Sequence, residues 1–381
     1  MPKIITVPLT ENFIDRLMAY LEEHYMRKGR DMSRLAIVFG GHRPSLFVKR
    51  EIAKRCQRAS ISPRFFTIDE FMGYVVKQKE NFTPVEDLNN CYLLYTLARQ
   101  ETPDILKGRE EFDRFLPWTR EILQFIDQLD LENIDDKALG NVQANAEIGY
   151  AVPDDINRLL QHIVKLRKAY HQTLETSNMY SRGWQYLRAA QLIDAVAFDQ
   201  FDEIIFANFF YFNRSEEAVV QSLHKRGKAA FIFQGDQRRW PVLQRIAKLL
   251  QTPIEEGVEP TTPRFDLKIY AAFDGHSQVG MVRELLKKIE HPQKAVIMLP
   301  QPDSLIPLLS EMTGVVKDFN ISMGYPLKRS SVYSLFTFIF QAQLSRKDGR
   351  YYARDYLKVL RHPLIKNLQL SSAATATRML V

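Results

Sequence analysis

Residues 35–45 read LAIVFGGHRPS, an uninterrupted apolar run followed by a turn of two glycines, a histidine, an arginine and a proline. Leu35 to Phe39 carry no polar side chain, the pattern of a strand covered on both faces, as in a parallel sheet. Gly40 to Ser45 then turn the chain into a helix from about Ser45 to Cys56. Pro44 suits its first turn, where a fixed φ and a missing N–H cost nothing. Strand, glycine turn and helix is also the arrangement in which nucleotide-binding domains cradle phosphate on backbone amides. That cradle ends in GK[ST], and no G-x-x-x-x-G-K-[ST] occurs in the chain. Pro44 stands where the lysine belongs and Ser45 at the hydroxyl position, so the loop lacks the residues to hold ATP.

Working outward, Asn12 to Lys28 reads as an amphipathic helix. Phe65 to Ile68 reads as a second short strand, and Ile68 to Lys77 as a helix capped by Thr67 or Asp69. Four stretches then carry apolar residues at helical spacing: Thr83–Lys107, Glu111–Leu129, Asp155–Leu174 and Ser181–Asp194. They read as an all-helical insertion. Strand signals return at Glu203–Phe210 (EIIFANFF) and Ala229–Gln234 (AAFIFQ), around a charged helix Ser215–Arg226 that ends at Gly227. Phe206, Phe209, Phe210 and Phe212 read as core. This alternation predicts an α/β fold with a parallel sheet and right-handed crossovers.

Beyond a proline-rich linker, Thr252–Pro263, a new unit is expected. Its strands are Asp266–Ala272, Ala295–Leu299 and a segment near Phe319–Met323, with helices Ser277–Ile289 and Pro302–Thr313. Past Tyr325 the chain reads as helical to its end.

ATP hydrolysis also needs a carboxylate at the end of a neighbouring strand to hold magnesium and orient water. The strand EIIFANFFYF offers Ala207 and Asn208 there instead. FDEIIFANFF nevertheless resembles the strand ending in D-E-x-Q in UvrD-like helicases. FIFQGDQRRW resembles their next strand, with Gly235 and Asp236 matching its G-D. One subgroup is closer: the B subunit of AddAB-type helicase–nucleases, in its Bacteroidetes form. VFGGHRPSLFVKREIAK, PRFFTIDEFM, FLPWTREILQFIDQLDLENID, NISMGYPLKRSSVYSLFTFIFQAQ and YYARDYLKVLRHPLI are each similar to segments of that family, in the same order. The departures at Pro44 and at Ala207-Asn208 mark an inactivated relative.

The resemblance implies RecA-like (P-loop NTPase-like, degenerate) parallel-sheet domains with helical insertions. The first RecA-like domain is expected at 1–80 plus 185–255, interrupted by the helical insertion 81–184. A second RecA-like domain would begin at 264–325 and pass into a second helical insertion at 326–381. It further implies a bacterial, non-motor, DNA-binding scaffold of a helicase–nuclease complex in double-strand break repair and recombination. Its partners would be an AddA-like helicase–nuclease subunit and single- and double-stranded DNA ends. Family members continue into a PD-(D/E)xK nuclease, often clasped by four cysteines. An iron–sulfur cluster and magnesium are therefore expected there and no cofactor in this chain, which reads as an N-terminal fragment or a truncated gene product.

Composition limits the alternatives. The chain has 381 residues, 45% of them hydrophobic, with 52 basic residues against 45 acidic and a formal charge of +7. That balance is compatible with a polyanion partner without demanding one. No stretch approaches the roughly 18 uncharged apolar residues of a membrane span. The N-terminal residues lack the pattern of a signal peptide, so a cytoplasmic location and no membrane contact are expected. With only Cys56 and Cys91 there is no disulfide framework or zinc ribbon, and the scattered histidines give no metal-binding pair.

Candidate DNA-binding residues are Arg43, Lys49, Arg50, Gln237, Arg238, Arg239 and Trp240. Arginines from loops and helix N-termini meet phosphates, and a ring beside cations suits single-stranded DNA. Each has a plainer reading: Arg43 as a turn arginine, Lys49 and Arg50 with Lys54 and Arg55 as a solvated helix face, Trp240 as core. Asp266-x-Lys268 is half of a nuclease pattern and reads better as an outer strand face. Two rivals to the DNA-binding function stay open: an ATP-independent interaction scaffold without DNA contact, and an α/β enzyme binding another ligand at the strand ends.

Overall fold

Six short strands pair side by side, all parallel, in the computed structural model, which describes residues 3–56, 61–140, 154–256, 265–371 and 374–375. They are β1 (Ile4–Val7), β2 (Leu35–Phe39), β3 (Arg64–Thr67), β4 (Glu203–Ala207), β5 (Ala229–Gln234) and β6 (Ile254–Glu256), in the spatial order β3-β2-β4-β5-β1-β6. The fold is therefore α/β with a parallel sheet. Neither β1 nor β6 is expected from the sequence. Four residues at the chain start and three after a helix are too short for a pattern, and they are strands because β5 and β1 offer them edges.

Strands β2, β4 and β5 are buried on both faces, as LAIVF suggests. Alternate side chains go to opposite cores. Ile37, Phe39, Ile205, Ala207 and Ile232 meet Leu17, Leu21, Val48 and Ile52 from α1 (Phe13–Leu21) and α2 (Arg43–Arg55). Ala36, Val38, Ile204, Phe206, Phe231 and Phe233 meet the other layer. That layer holds α3 (Ile68–Lys77), α7 (Arg182–Leu192), α8 (Arg214–Lys225) and α9 (Pro241–Leu250). The expected single helix Asn12–Lys28 is α1 followed by one π turn, Glu22–Met26. Thr67, rather than Asp69, caps α3, through a reciprocal pair in which Glu70 N–H donates to Thr67 Oγ1 and Thr67 N–H to Glu70.

The helical block inserted between β3 and β4 comprises α4 (Asp87–Glu101), α5 (Phe112–Leu131), α6 (Asp154–Ser177) and α7. Residues 141–153 of the expected insertion lie outside the described residues, as do 257–263 of the expected linker. Leu94, Phe115, Ile126, Leu166, Tyr170 and Trp184 form one continuous core with the sheet face beneath. A buried ion network crosses this block. Asp130 on α5 accepts from Arg167 on α6 at 2.9 and 2.6 Å and faces His171 Nε2 at 2.9 Å.

The chain forms two compact units, Met1–Arg264, just described, and Phe265–Val381. In the second unit α10 (Gly275–Lys287) and α11 (Leu305–Met312) pack through Val279, Leu286, Leu308 and Met312. Then α12 (Ser331–Leu344) packs against α13 (Ala353–Arg361) and the short α14 (Pro363–Lys366). The strands expected at 266–272, 295–299 and 319–323 do not form: those residues join no sheet. Alternation survives at 295–299, where Ile297 and Leu299 lean on the helices while Val296 and Met298 stand 85% and 87% exposed. Periodicity fixes which face a segment buries, but a strand also needs a neighbour for its amides and carbonyls. The tail is not helical throughout either. Gln369–Ser371 pairs antiparallel with Ala374–Thr375, and 376–381 lie outside the described residues.

Candidate nucleic-acid interface

In an open parallel sheet, ligands gather where loops from neighbouring strands leave the C-terminal edge toward opposite faces. Here β1 and β2 feed helices on one face, while β3, β4 and β5 feed the other. Three such neighbour pairs result, β3 with β2, β2 with β4, and β5 with β1; the crevice between β2 and β4 is the first considered and that between β1 and β5 the second.

Gly40 and Gly41 lie at the first crevice. A Cβ added at either would meet nothing within 4 Å, so the packing of the chain itself does not require glycine there. Ser45 is turned inward, its Oγ donating to the His42 carbonyl at 2.6 Å. Pro44 sits in the first turn of α2, and no side chain caps that terminus. Opposite stands Asn208, just past β4, at φ +60°, a left-handed conformation that asparagine tolerates better than most residues. Its N–H donates to the Ile232 carbonyl at 2.8 Å. Its Oδ1 is buried without a hydrogen-bond partner. Ala207, its neighbour, is fully buried.

The second crevice is already filled by the chain. Gln234 Nε2 donates to the Pro8 and Glu11 carbonyls at 3.4 and 3.1 Å, pinning the loop after β1. Asn12 Oδ1 accepts from Ile14 N–H at 2.9 Å and Asp15 N–H at 3.4 Å, taking up amides that an anion would need. Glu11, held below its usual carboxylate range by its hydrogen bond from Arg16, is ion-paired at the same helix start. The occupied amides disfavour a phosphate group there.

Beyond β5 the chain makes a tight turn. Asp236 Oδ1 accepts from Arg238 N–H at 2.7 Å, and its other oxygen lies 3.6 Å from Arg239 Nε. Its carboxylate therefore serves the turn that presents Arg238, Arg239 and Trp240, all exposed. Gln237 contributes its backbone carbonyl, which accepts from Gln244 at 3.1 Å. Trp240 is 43% exposed, so it is not core. Gly235 holds φ +128°, and a Cβ on it would lie 3.1 Å from Trp240 Cδ1. Gly235→Ala is thus expected to lose about 1–3 kcal/mol through backbone strain and to displace the indole. An unchanged urea midpoint with an unchanged near-ultraviolet dichroism would refute this.

One aromatic partner is not expected from the sequence. Phe206, Phe209 and Phe212 are core, but Phe210 is 39% exposed, with its ring centroid 5.9 Å from that of Trp240. The strand ends at Ala207, so the in–out alternation no longer governs position 210. Tyr211, 48% exposed, follows it, with the Arg245 guanidinium 5.5 Å from its ring. Exposed rings and arginines thus meet at the ends of β4 and β5.

Lys49 and Arg50 do not join this group. They lie farther along α2, in the opposite helix layer from α9, and the Lys49 ammonium sits 5.2 Å from the Phe65 ring. Only Arg43, at the start of α2, shares the sheet's C-terminal edge with Gln237 to Trp240.

A buried acid lies nearby. Glu216, in the first turn of α8, accepts from Asn213 N–H at 2.9 Å and is pushed up to about 7 by burial. Asp69 takes Arg182 at 2.7 Å and the Tyr186 hydroxyl at 2.6 Å.

Among the described residues no group of three or more His, Cys, Asp or Glu is placed to hold a metal ion. Cys91 is buried in the helical core and Cys56 ends α2, so the two do not fit a cluster site. No described helix is long and apolar enough to cross a membrane. No family model matches the chain, and no curated protein matches it significantly.

Proposed function

We propose that the chain is a non-motor, helicase-like scaffold that holds single-stranded DNA at the C-terminal edge of its sheet. The supporting observation is the exposed Phe210–Trp240 ring pair beside Arg238 and Arg239, the side-chain types that stack bases and meet phosphates. In this reading the α/β fold is a degenerate RecA-like pair of domains, divided as the resemblance implies. The chain would then act beside an ATP-driven, AddA-like partner in double-strand break repair, with nuclease chemistry carried elsewhere. The self-capped helix after β1 and the inward Ser45 support a scaffold without nucleotide.

The test is anisotropy of a labelled oligothymidylate. With about three phosphate contacts from Arg43, Arg238 and Arg239, affinity should fall roughly tenfold or more between about 50 and 200 mM salt. Arg238→Ala with Arg239→Ala should flatten that dependence, and ATP should leave binding unchanged. Affinity indifferent to salt would sink the reading. It would favour the interaction scaffold, for which the uncharged exposed face of α12 speaks.

A further inference from the structure

Helix α12 carries the sequence SVYSLFTFIFQAQL, fourteen residues without one charge. Its two faces differ sharply. Ser334, Leu335, Phe338, Ile339 and Ala342 turn inward, where Ser334 Oγ lies 2.9 Å from His362 Nε2 and the Phe338 ring centroid 6.0 Å from that of His362. Tyr333, Phe336, Phe340 and Leu344 line the other face at helical spacing, exposed by 48%, 52%, 62% and 88%. A surface helix ordinarily sets polar residues opposite its buried stripe. Here the outer face carries an apolar stripe instead, flanked by the uncharged polar Thr337, Gln341 and Gln343.

We infer that this outer face is an interface between two copies of the chain, packed α12 against α12 across a two-fold axis. Two observations select a second copy. First, a two-fold interface must be complementary to itself, and an uncharged stripe opposes no charge when it meets its own image. Second, the exposed area is sufficient. With Val332 at 47% exposure, the five side chains offer about 600 Å² per copy, so a pair would bury about 1,200 Å², the lower bound of stable interfaces. The helix spans roughly 21 Å, enough for one ridges-into-grooves crossing centred between Phe336 and Phe340.

The flanks carry like charge: Lys328 and Arg329 before the helix, Arg346 and Lys347 after it. Arg329 is paired with Asp303 at 2.6 Å, and Arg346 lies over the Tyr351 ring. The remaining repulsion between copies is screened by salt, so association strengthens as salt rises. This is opposite in sign to the DNA binding proposed above, and the two proposals stand or fall separately.

Sedimentation equilibrium of the whole chain, without DNA, from about 1 to about 100 µM tests the inference. The expected result is a concentration-dependent doubling of mass that tightens with salt. Phe336→Glu with Phe340→Glu should weaken it at least tenfold, with far-ultraviolet dichroism unchanged because both side chains are exposed. Leu344→Glu, at the most exposed position, is the second variant should that pair perturb folding. A monomer at every concentration overturns the inference and returns the stripe to a different polypeptide. So does a dimer that the glutamates leave intact.

Discussion

Asp130→Ala is expected to destabilise the chain by about 3–5 kcal/mol, because it removes the buried partner of a buried guanidinium. Asp130 is fully buried, and Arg167 is 3% exposed. One carboxylate oxygen accepts both Arg167 Nε and Nη2, and the other faces His171, whose ring stacks on Trp184 at 4.2 Å. Without the carboxylate, Arg167 keeps only the Ile134 carbonyl at 2.8 Å and Asp136 at 2.8 Å. Against total stabilities of about 5–15 kcal/mol the loss is large. The pair replaced together, Asp130→Leu with Arg167→Met, should lie much closer to the parent, since an apolar pair carries no desolvation penalty. Urea unfolding of Asp130→Leu, of Arg167→Met and of the double variant gives the coupling. A single-variant loss under about 1 kcal/mol would mean that the network is not buried in solution.

Glu216→Gln should stabilise the chain at pH 8 and do little at pH 5. Glu216 is 7% exposed, and its carboxyl is pushed up to about 7 by burial, with Asp69 and Glu132 adding to the rise and Arg182 opposing it. In the unfolded chain it ionises near the ordinary glutamate value of 4.5. Between those two values the folded state binds the extra proton, so this group's contribution to stability falls as pH rises. Above pH 7 the accumulated cost approaches about 3 kcal/mol. Glutamine stays neutral and keeps an oxygen for the Asn213 amide, preserving the reciprocal cap. The gain should therefore appear only on the alkaline side. Urea midpoints at pH 5 and pH 8 check it, and equal shifts at both would show that Glu216 ionises normally.

LAIVF, EIIFA and AAFIFQ are legible as buried strands because a strand covered on both faces has no polar position to hide. The cap at Thr67 and the stop at Gly227 are legible because a helix end leaves amides and carbonyls that few side chains or conformations satisfy. Ile4–Val7 is not legible, since four residues carry too little pattern and its place between β5 and β6 depends on partners more than 200 residues away. The second unit departs in the opposite direction. Its alternation is real at Val296 and Met298, yet no neighbouring strand is there to pair with it.

At the site, sequence singles out Gln237 to Trp240 and the loop at Gly40 but cannot choose among their roles. Asp236 matches the G-D of a helicase strand in sequence; in space its carboxylate holds a turn by accepting from the Arg238 amide. Phe210 looks like core and is surface, because the strand stops three residues earlier.

By itself the sequence determined the α/β class, the helical block and the lack of a phosphate-binding motif, all of which follow from local periodicity and from the presence or absence of particular side chains. Only the tertiary structure decided the strand order, and with it the second crevice beside β1. It also decided which aromatics reach solvent and which face of α12 is left bare. Those depend on contacts between residues far apart in the chain, where burial is set by what lies opposite rather than by what comes next.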